Sequence, residues 1–319
     1  MLCVIGDLVE DVVVWLPTAL SYGTDTPSKI VRTRGGSASN VAVFAAAVNQ
    51  LTTHELAANR GATSSSATND TKFRSRLIAQ VGNDLLGDQL ITALEASGVE
   101  PCIARAGRTG SIVVIVSPDG ERTMLTDRAA AMQLAHAPKN WYNGVSILHV
   151  PAYSLFSEPL STAARECIVT AHQQNIPVSI DASSASLIKT FGVARFRDLV
   201  AELNPKIFFC NTDEAEILSL AMRPLEIEIV VIKAGAAPTT LITRDTTSKI
   251  AVTIVNQIID STGAGDAFAA GFLSKFEQTY ISKSPHNQTD EQLLHDCVHA
   301  GHQLAARVLC SPGATMDTQ

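Results

Sequence analysis

The sequence predicts an α/β fold, with a mostly parallel central sheet, helices on both faces and a small β lid. Three observations carry this. Short β-rich apolar runs alternate with longer amphipathic runs along the 319 residues, the order of strand–helix–strand units. Gly35-Gly36 and Gly263-Ala264-Gly265 each open an apolar, alanine-rich helix, and glycine permits the close backbone approach such a loop offers. Two stretches, about 12–33 and 98–127, alternate instead as extended strand, with a turn at Ser117-Pro118-Asp119-Gly120. They read as a discontinuous β lid over the site, and 1–319 reads as a single domain.

In chain order, Leu2–Ile5 is the first buried strand and Ser39–Gln50 the first helix. Thr52–Arg76 is polar and rich in small residues, and reads as a mobile surface insertion. Leu77–Val81 and Leu85–Ser97 resume the strand–helix alternation. After the lid come the strand Ser146–Val150, the helix Leu160–Gln174 and the strand Pro177–Ile180. Ile207–Cys210 leads into the helix Thr212–Ala221, and Ile229–Lys233 is a further buried strand. Gly265–Glu277 and Glu291–Leu309 close the chain as helices. Active sites in such sheets gather beyond the carboxyl ends of the strands.

A net charge of −7 argues against a nucleic-acid binder. Cysteines 3, 102, 167, 210, 297 and 310 show no C-x-x-C spacing, so neither a disulfide framework nor a zinc knuckle is indicated. The start, MLCVIGDLVEDVVVW, carries Asp7, Glu10 and Asp11 within its apolar stretch and reads as a strand rather than a signal peptide. No run of eighteen apolar residues exists, so no membrane span is expected. A cytoplasmic, reduced environment fits these features.

The most telling stretch is Asp260-Ser261-Thr262-Gly263-Ala264-Gly265-Asp266, directly before an apolar helix. Unpaired N–H groups and the helix dipole make such a start an anion hole. With Asp266 beside it, the arrangement suits phosphoryl transfer to a hydroxyl. The helix dipole favours the charged carboxylate there, so Asp266 is expected to be a weak base. Gly35-Gly36 before Asn40 serves either a ligand hydroxyl or a helix cap, since Asn40 offers both donor and acceptor. Asp11, just past the first strand, can accept two hydroxyl hydrogen bonds. Asn211 and Glu214 face the same way on a first helical turn, compatible with Mg²⁺ held through its waters and with a capping box.

Other clusters are less directive. His295, His299 and His302 share a helical face, but Asp296 stands where a zinc-protease helix has glutamate, and the face reads as a pocket edge or partly exposed. Arg32, Arg34, Arg105, Arg108 and Arg122 either converge on an anionic acceptor or are solvated strand faces, the second being the default. There is no G-x-x-x-x-G-K-[ST] loop, no protein-kinase set and no strand-linked G-x-G-x-x-G, which disfavours a nicotinamide oxidoreductase.

Together these pieces resemble the ribokinase-like (phosphofructokinase B type) carbohydrate kinases over nearly the whole chain. Gly35-Gly36…Asn40 is similar to that family's first signature and Asp260…Asp266 to its second, with Val81-Gly82-Asn83-Asp84…Gly87 and Asn211…Glu214 falling between. The resemblance implies an ATP-dependent kinase for a hydroxyl of a small sugar or sugar-like acceptor. Asp266 is then the base, Gly263, Ala264 and Gly265 the anion hole, and Asp11, Gly35, Gly36 and Asn40 the acceptor site. It further implies Asn211 and Glu214 for Mg²⁺, Gly235 near the nucleotide phosphates, His299 and Gly313 at the adenine, and a monovalent cation, K⁺ in some members, at Asp260. A homodimer through the lid is also implied. A nucleoside kinase, or a silent binding protein of the same fold, is the alternative. Pro238, in Gly235-Ala236-Ala237-Pro238, departs from the family's G-x-x-G and removes an N–H, for which Lys233 compensates as a charge on phosphate.

Overall fold

The computed structural model describes residues 1–59, 74–252, 254–255, 257–281, 290–311 and 313–315. The chain opens with β1 (Leu2–Ile5), whose four side chains are all buried. It then leaves the main sheet for β2 (Val9–Trp15) and β3 (Lys29–Gly35), and returns through α1 (Ser37–Asn59). β4 (Ser75–Val81), α2 (Leu85–Ala96) and β5 (Val99–Arg105) form a strand–helix–strand unit, with Asp84 capping α2 by accepting from Gly87 N. β6 (Thr109–Val116) and β7 (Arg122–Ala129) follow as a hairpin. The second half runs β8 (Ile147–Pro151), α3 (Leu160–Gln173), β9 (Val178–Asp181), α4 (Ala185–Phe191) and α5 (Val193–Leu203). Next come β10 (Ile207–Asn211), α6 (Thr212–Ile217) and β11 (Ile229–Lys233). The antiparallel β12 (Thr239–Thr243) and β13 (Thr247–Ile250) precede α7 (Ala264–Phe276) and α8 (Asp290–Leu309).

Among the described residues, nine strands form one sheet in the order β13-β12-β11-β10-β9-β8-β1-β4-β5, parallel except at the β12–β13 edge. A second sheet has the order β3-β2-β6-β7. Because side chains alternate across a strand, Phe208 and Phe209 of β10 enter different cores. Phe209 packs with α1, α7 and α8, edge-on to Phe272 at 5.2 Å, whereas Phe208 packs with α3 and α5. The small sheet keeps its own core of Val9, Val13, Ile112, Val114 and Ala131. After β1 the chain builds outward through β4 and β5, then crosses to β8 on the other side of β1. That reversal opens a crevice at the carboxyl ends of β1 and β8, the place where such sheets bind ligands.

Several expected boundaries move. Residues 98–127 divide, because β5 pairs in parallel with β4 from Ser75↔Val99 to Val81↔Arg105 and so belongs to the large sheet. The small sheet draws instead on 9–15, 29–35, 109–116 and 122–129. The expected insertion also shrinks: α1 continues to Asn59 and Ser75–Arg76 already open β4, while 60–73 lie outside the described residues. The helix expected over Thr212–Ala221 ends at Ile217. The α4–α5 pair and the β12–β13 hairpin had no expectation attached; their short, mixed-polarity runs carry weak periodicity.

Candidate active site

A cleft of about 300 Å³ opens at the carboxyl ends of the parallel strands, beneath the small sheet. The main sheet contributes Asp7 just past β1, Asp181 ending β9, Asn211 ending β10 and Lys233 ending β11. Helix starts contribute Ser37 and Asn40 from α1, Glu214 from α6, and Gly263, Gly265 and Asp266 at α7. The small sheet closes one side with Asp11, Ile112, Val114, Arg122, Met124 and Arg128.

The glycine loop is held from behind. Asp260 accepts from Thr262 N at 2.8 Å, Thr262 Oγ1 at 2.7 Å and Gly313 N at 2.9 Å, and pairs with Arg122 at 3.1 Å. Burial works against its charge, but those hydrogen bonds and Arg122 prevail and the net shift is downward. Gly263 takes φ +76°, and a Cβ there would meet Ala314 Cβ at 2.8 Å. Among the described residues no side chain caps α7, so its first turn retains the anion-binding character of an open helix start. Between Gly263 and Gly265, Ala264 does not line the cleft, and its N–H is directed at Ser261 O at 3.3 Å.

Asp266 keeps a partly exposed face on the cleft while its carboxyl sits deep among protein atoms. Its Oδ1 accepts from Ser37 Oγ at 2.7 Å and its Oδ2 from Asn40 Nδ2 at 2.9 Å. Burial pushes the carboxyl up to about 7, against the pull of those two donors, and the charge of Asp181 adds to the rise. The expectation of a weak base from the helix dipole is therefore overturned. A dipole contributes about 1 kcal/mol, and desolvation is the larger effect here.

Asp11 Oδ1 is buried with no hydrogen-bond partner among the described residues. Burial first, then the neighbouring charge of Asp7, raises its pKa to about 6, while Arg34 and Arg128 pull back. Gly35 does not line the cleft; a Cβ there would fall inside the Asp11 carboxylate, so its smallness makes room for Asp11. Gly36, at φ +100°, brings α1 against Asp7 O, which a Cβ would meet at 2.6 Å. Asp7 in turn accepts from Ala38 N at 3.2 Å and Arg128 Nε at 3.2 Å.

Asn211 and Glu214 form the full capping box: Glu214 N donates to Asn211 Oδ1 at 2.9 Å and Asn211 N to Glu214 Oε2 at 2.7 Å. Both also line the cleft. Burial and the charge of Asp181 raise Glu214 to about 7, opposed by Lys233. Lys233 Nζ donates to Asp181 Oδ2 at 2.6 Å. Among the described residues no three His, Cys, Asp or Glu cluster as direct metal ligands. An oxygen donor set such as Glu214 and Asp181 fits Mg²⁺ held through waters.

Asp260, Gly235, His299 and Gly313 do not reach this cleft. Asp260 and Gly313 support the loop, Gly235 sits on an exposed turn at φ +58°, and His299 is exposed on α8. Of the five arginines singled out by sequence, only Arg122 faces the cleft. Arg32 pairs with Glu10, Arg105 with Asp88 and Arg108 with Asp127, while Arg34 sits behind Asn40. Ser37, Asp7, Arg128, Tyr153 and Asp181 escaped the sequence reading. The Gly-Gly-Ser string and the strand-end position of Asp181 were the available signals. Among the described residues the lining holds five carboxylates (Asp7, Asp11, Asp181, Glu214, Asp266) against three cations (Arg122, Arg128, Lys233). Each of those cations already meets an acid.

The family model described as pfkB family carbohydrate kinase matches residues 1–319. The chain is 25% identical to a fructokinase of Escherichia coli over 75% of this chain and 81% of that protein. Among solved structures, the adenosine kinase of Sinorhizobium meliloti covers 98% of this chain and 94% of its own, at 20% identity and TM-score 0.76. A structure from E. coli in complex with ATP and Mg²⁺ covers 98% of this chain and 94% of its own, at 18% identity and TM-score 0.74. These likenesses carry the ribokinase-like fold. No described helix is long and apolar enough to cross a membrane.

Proposed function

The chain belongs to the pfkB family of carbohydrate kinases, and on that premise we propose that it transfers the γ-phosphoryl group of ATP to a hydroxyl of a neutral small sugar or sugar-like polyol. The observation that carries the reading is Asp266, at the uncapped start of α7, sharing one cleft with Asp11 and Asn40. The acceptor oxygen forms its bond to the γ-phosphorus as the bond to the β-phosphate bridging oxygen breaks, and the hydroxyl proton passes to Asp266. Gly263 and Gly265 approach the moving phosphoryl with bare backbone. The Asp11 carboxylate, which lines the cleft, accepts from an acceptor hydroxyl, and Asn40 donates to one. The acidic excess of the wall supports a neutral acceptor over a sugar phosphate or sugar acid.

Mg²⁺, when bound, neutralises phosphate charge, and Asn211 and Glu214 would hold its waters. Lys233 is assigned to a phosphate oxygen. The turn at Gly235 has its Ala237 N–H already on Ala234 O at 3.0 Å and Pro238 without one, so Gly235 and Ala236 supply what backbone contact remains. His299 and the turn at Gly313 would border the adenine. K⁺ at Asp260 would share the carboxylate with Thr262, Gly313 and Arg122, which already contact it.

A homodimer through the small sheet is supported by exposed Ile30, Val31 and Leu125, and sedimentation tests it. A cytoplasmic location accords with six free cysteines. A nucleoside acceptor is the second reading, favoured by Tyr153 on the wall. ADP release from ATP and Mg²⁺, measured across neutral sugars, sugar phosphates, sugar acids and nucleosides, decides among them. Release that depends on a neutral sugar supports the proposal; silence with every acceptor sinks it.

A further inference from the structure

Arg34 ends β3 directly before Gly35, and its guanidinium lies half-buried behind the cleft wall. Nη1 donates to Asn40 Oδ1 at 2.8 Å and to Ser39 Oγ at 2.8 Å, and Nη2 reaches Ala314 O at 3.5 Å. A guanidinium carries donors only. An amide facing it must present its oxygen, which turns the Asn40 nitrogen toward Asp266 Oδ2 at 2.9 Å. We infer that Arg34 is a positioning residue that fixes Asn40 as a pure hydrogen-bond donor into the cleft, and so sets the direction of the acceptor hydroxyl. The inference rests on the kinase reading above.

The sequence alone gives Asn40 both donor and acceptor character; with its oxygen turned to Arg34 and its nitrogen to Asp266, it is the N–H that faces ligand. An acceptor oxygen that receives this N–H must point its own proton elsewhere. The groups able to take it are the Asp11 and Asp266 carboxylates on the cleft wall. Released from Arg34, the amide can rotate, and a hydroxyl can donate to its oxygen instead of to the base. Each such turnover-incompetent pose removes a fraction of productive complexes.

Asp266 is faced by Ser37 and Asn40 from α1, by Asp181 and Lys233 from β9 and β11, and by Tyr153 after β8, with the Arg34 charge arriving from β3. Losing the Asn40 donor removes a bond that favours the charged carboxylate. The acidic limb of the rate profile must then move to higher pH.

The test uses the full chain with the acceptor that supports turnover in wild type. Arg34→Met is expected to lower kcat/KM for the acceptor roughly 10- to 100-fold with KM for ATP little changed, and to move the acidic limb upward. Arg34→Lys recovers part of both. In an Asn40→Ala background Arg34→Lys, which keeps the charge that acts on Asp11 and Asp266, adds nothing further. Effects that add fully to Asn40→Ala, or a loss of melting temperature with an unmoved acidic limb, overturn the inference. If Arg34→Met fails to fold, the cycle of Arg34→Lys with Asn40→Ala decides on the same terms. A wild type silent with every acceptor sinks the kinase reading itself; an active wild type with additive variants sinks only this inference.

Discussion

Lys233 Nζ lies 2.6 Å from Asp181 Oδ2, joining the carboxyl ends of β11 and β9 across the intervening β10. Burial alone would lower the lysine pKa, but Asp181, Glu214 and Asp266 outweigh it and the net shift is upward, so the ammonium stays charged. Lys233 neutralises Asp181, and under the proposed function it has a second, separable task, to meet a phosphate. Lys233→Met is expected to lower the melting temperature, because it strands a carboxylate at a cost of about 1–3 kcal/mol, and to raise KM for ATP roughly tenfold. Adding Asp181→Asn should restore stability without restoring KM for ATP. Thermal melts with ATP titrations of both variants check this; an unchanged KM for ATP would leave Lys233 serving Asp181 alone.

Asp266 sets a pH dependence of opposite sign for activity and for stability. Its carboxyl is raised from 3.8 to about 7 by burial, so the folded protein holds this proton through a range where the unfolded chain has lost it. Stability from this group therefore falls as pH rises from about 4 to about 7. With Asp266 as the proposed base, activity does the reverse, since the base must be ionised, and kcat/KM should climb with pH toward 7. Asp266→Asn should lower turnover by about 10²–10⁴-fold yet melt roughly 2–5 °C above wild type at pH 8. That gain should shrink toward pH 5. Paired melts at the two pH values measure it, and a gain equal at both would exclude the titration of Asp266 as its cause.

The parts of this site legible in the sequence are those written in local strings. Asp260 to Asp266 lie within one loop and helix start, and Gly35 to Asn40 within another, so loop chemistry alone brought them forward. Asp181 and Arg128 are different: one meets Lys233 and the other Asp7 only after distant strands are brought together. The fold follows the same rule. Continuous apolar runs such as Ile229–Lys233 announced themselves, whereas β5, with its Val-Glu-Pro-Cys-Ile-Ala-Arg alternation, reads like lid strand. Its place in the large sheet comes from pairing with β4. The reversed basicity of Asp266 is likewise tertiary, since burial is not visible in seven residues.

Arg122 ties the small sheet to the glycine loop. It donates to Thr262 Oγ1 at 2.5 Å and Ser261 Oγ at 2.7 Å besides its pair with Asp260. Exclusion of water during phosphoryl transfer depends on such closure. Arg122→Gln should therefore raise the ratio of acceptor-independent to acceptor-dependent ADP release several-fold, with little change in fold. Measuring both rates on one preparation checks it, and an unaltered ratio would make this contact a tether without a gating role.

The two adjacent glycines before α1 should fail in different ways. Gly36 has φ +100° and a Cβ there would meet backbone, Asp7 O at 2.6 Å. Neither the strained dihedral nor a main-chain carbonyl can give way cheaply, so Gly36→Ala should destabilise the fold by roughly 1–3 kcal/mol. Gly35 has an ordinary backbone, and the three atoms nearest its Cβ would all belong to the flexible end of Asp11. Gly35→Ala should thus fold nearly as wild type while pushing the Asp11 carboxylate aside. The expected readout is a KM for the acceptor raised roughly tenfold or more, the loss of about one charge-assisted hydrogen bond, with KM for ATP unchanged. Equal loss of stability in both variants would mean that Asp11 is too tightly packed to move. A normal acceptor KM in a well-folded Gly35→Ala would remove Asp11 from the acceptor site.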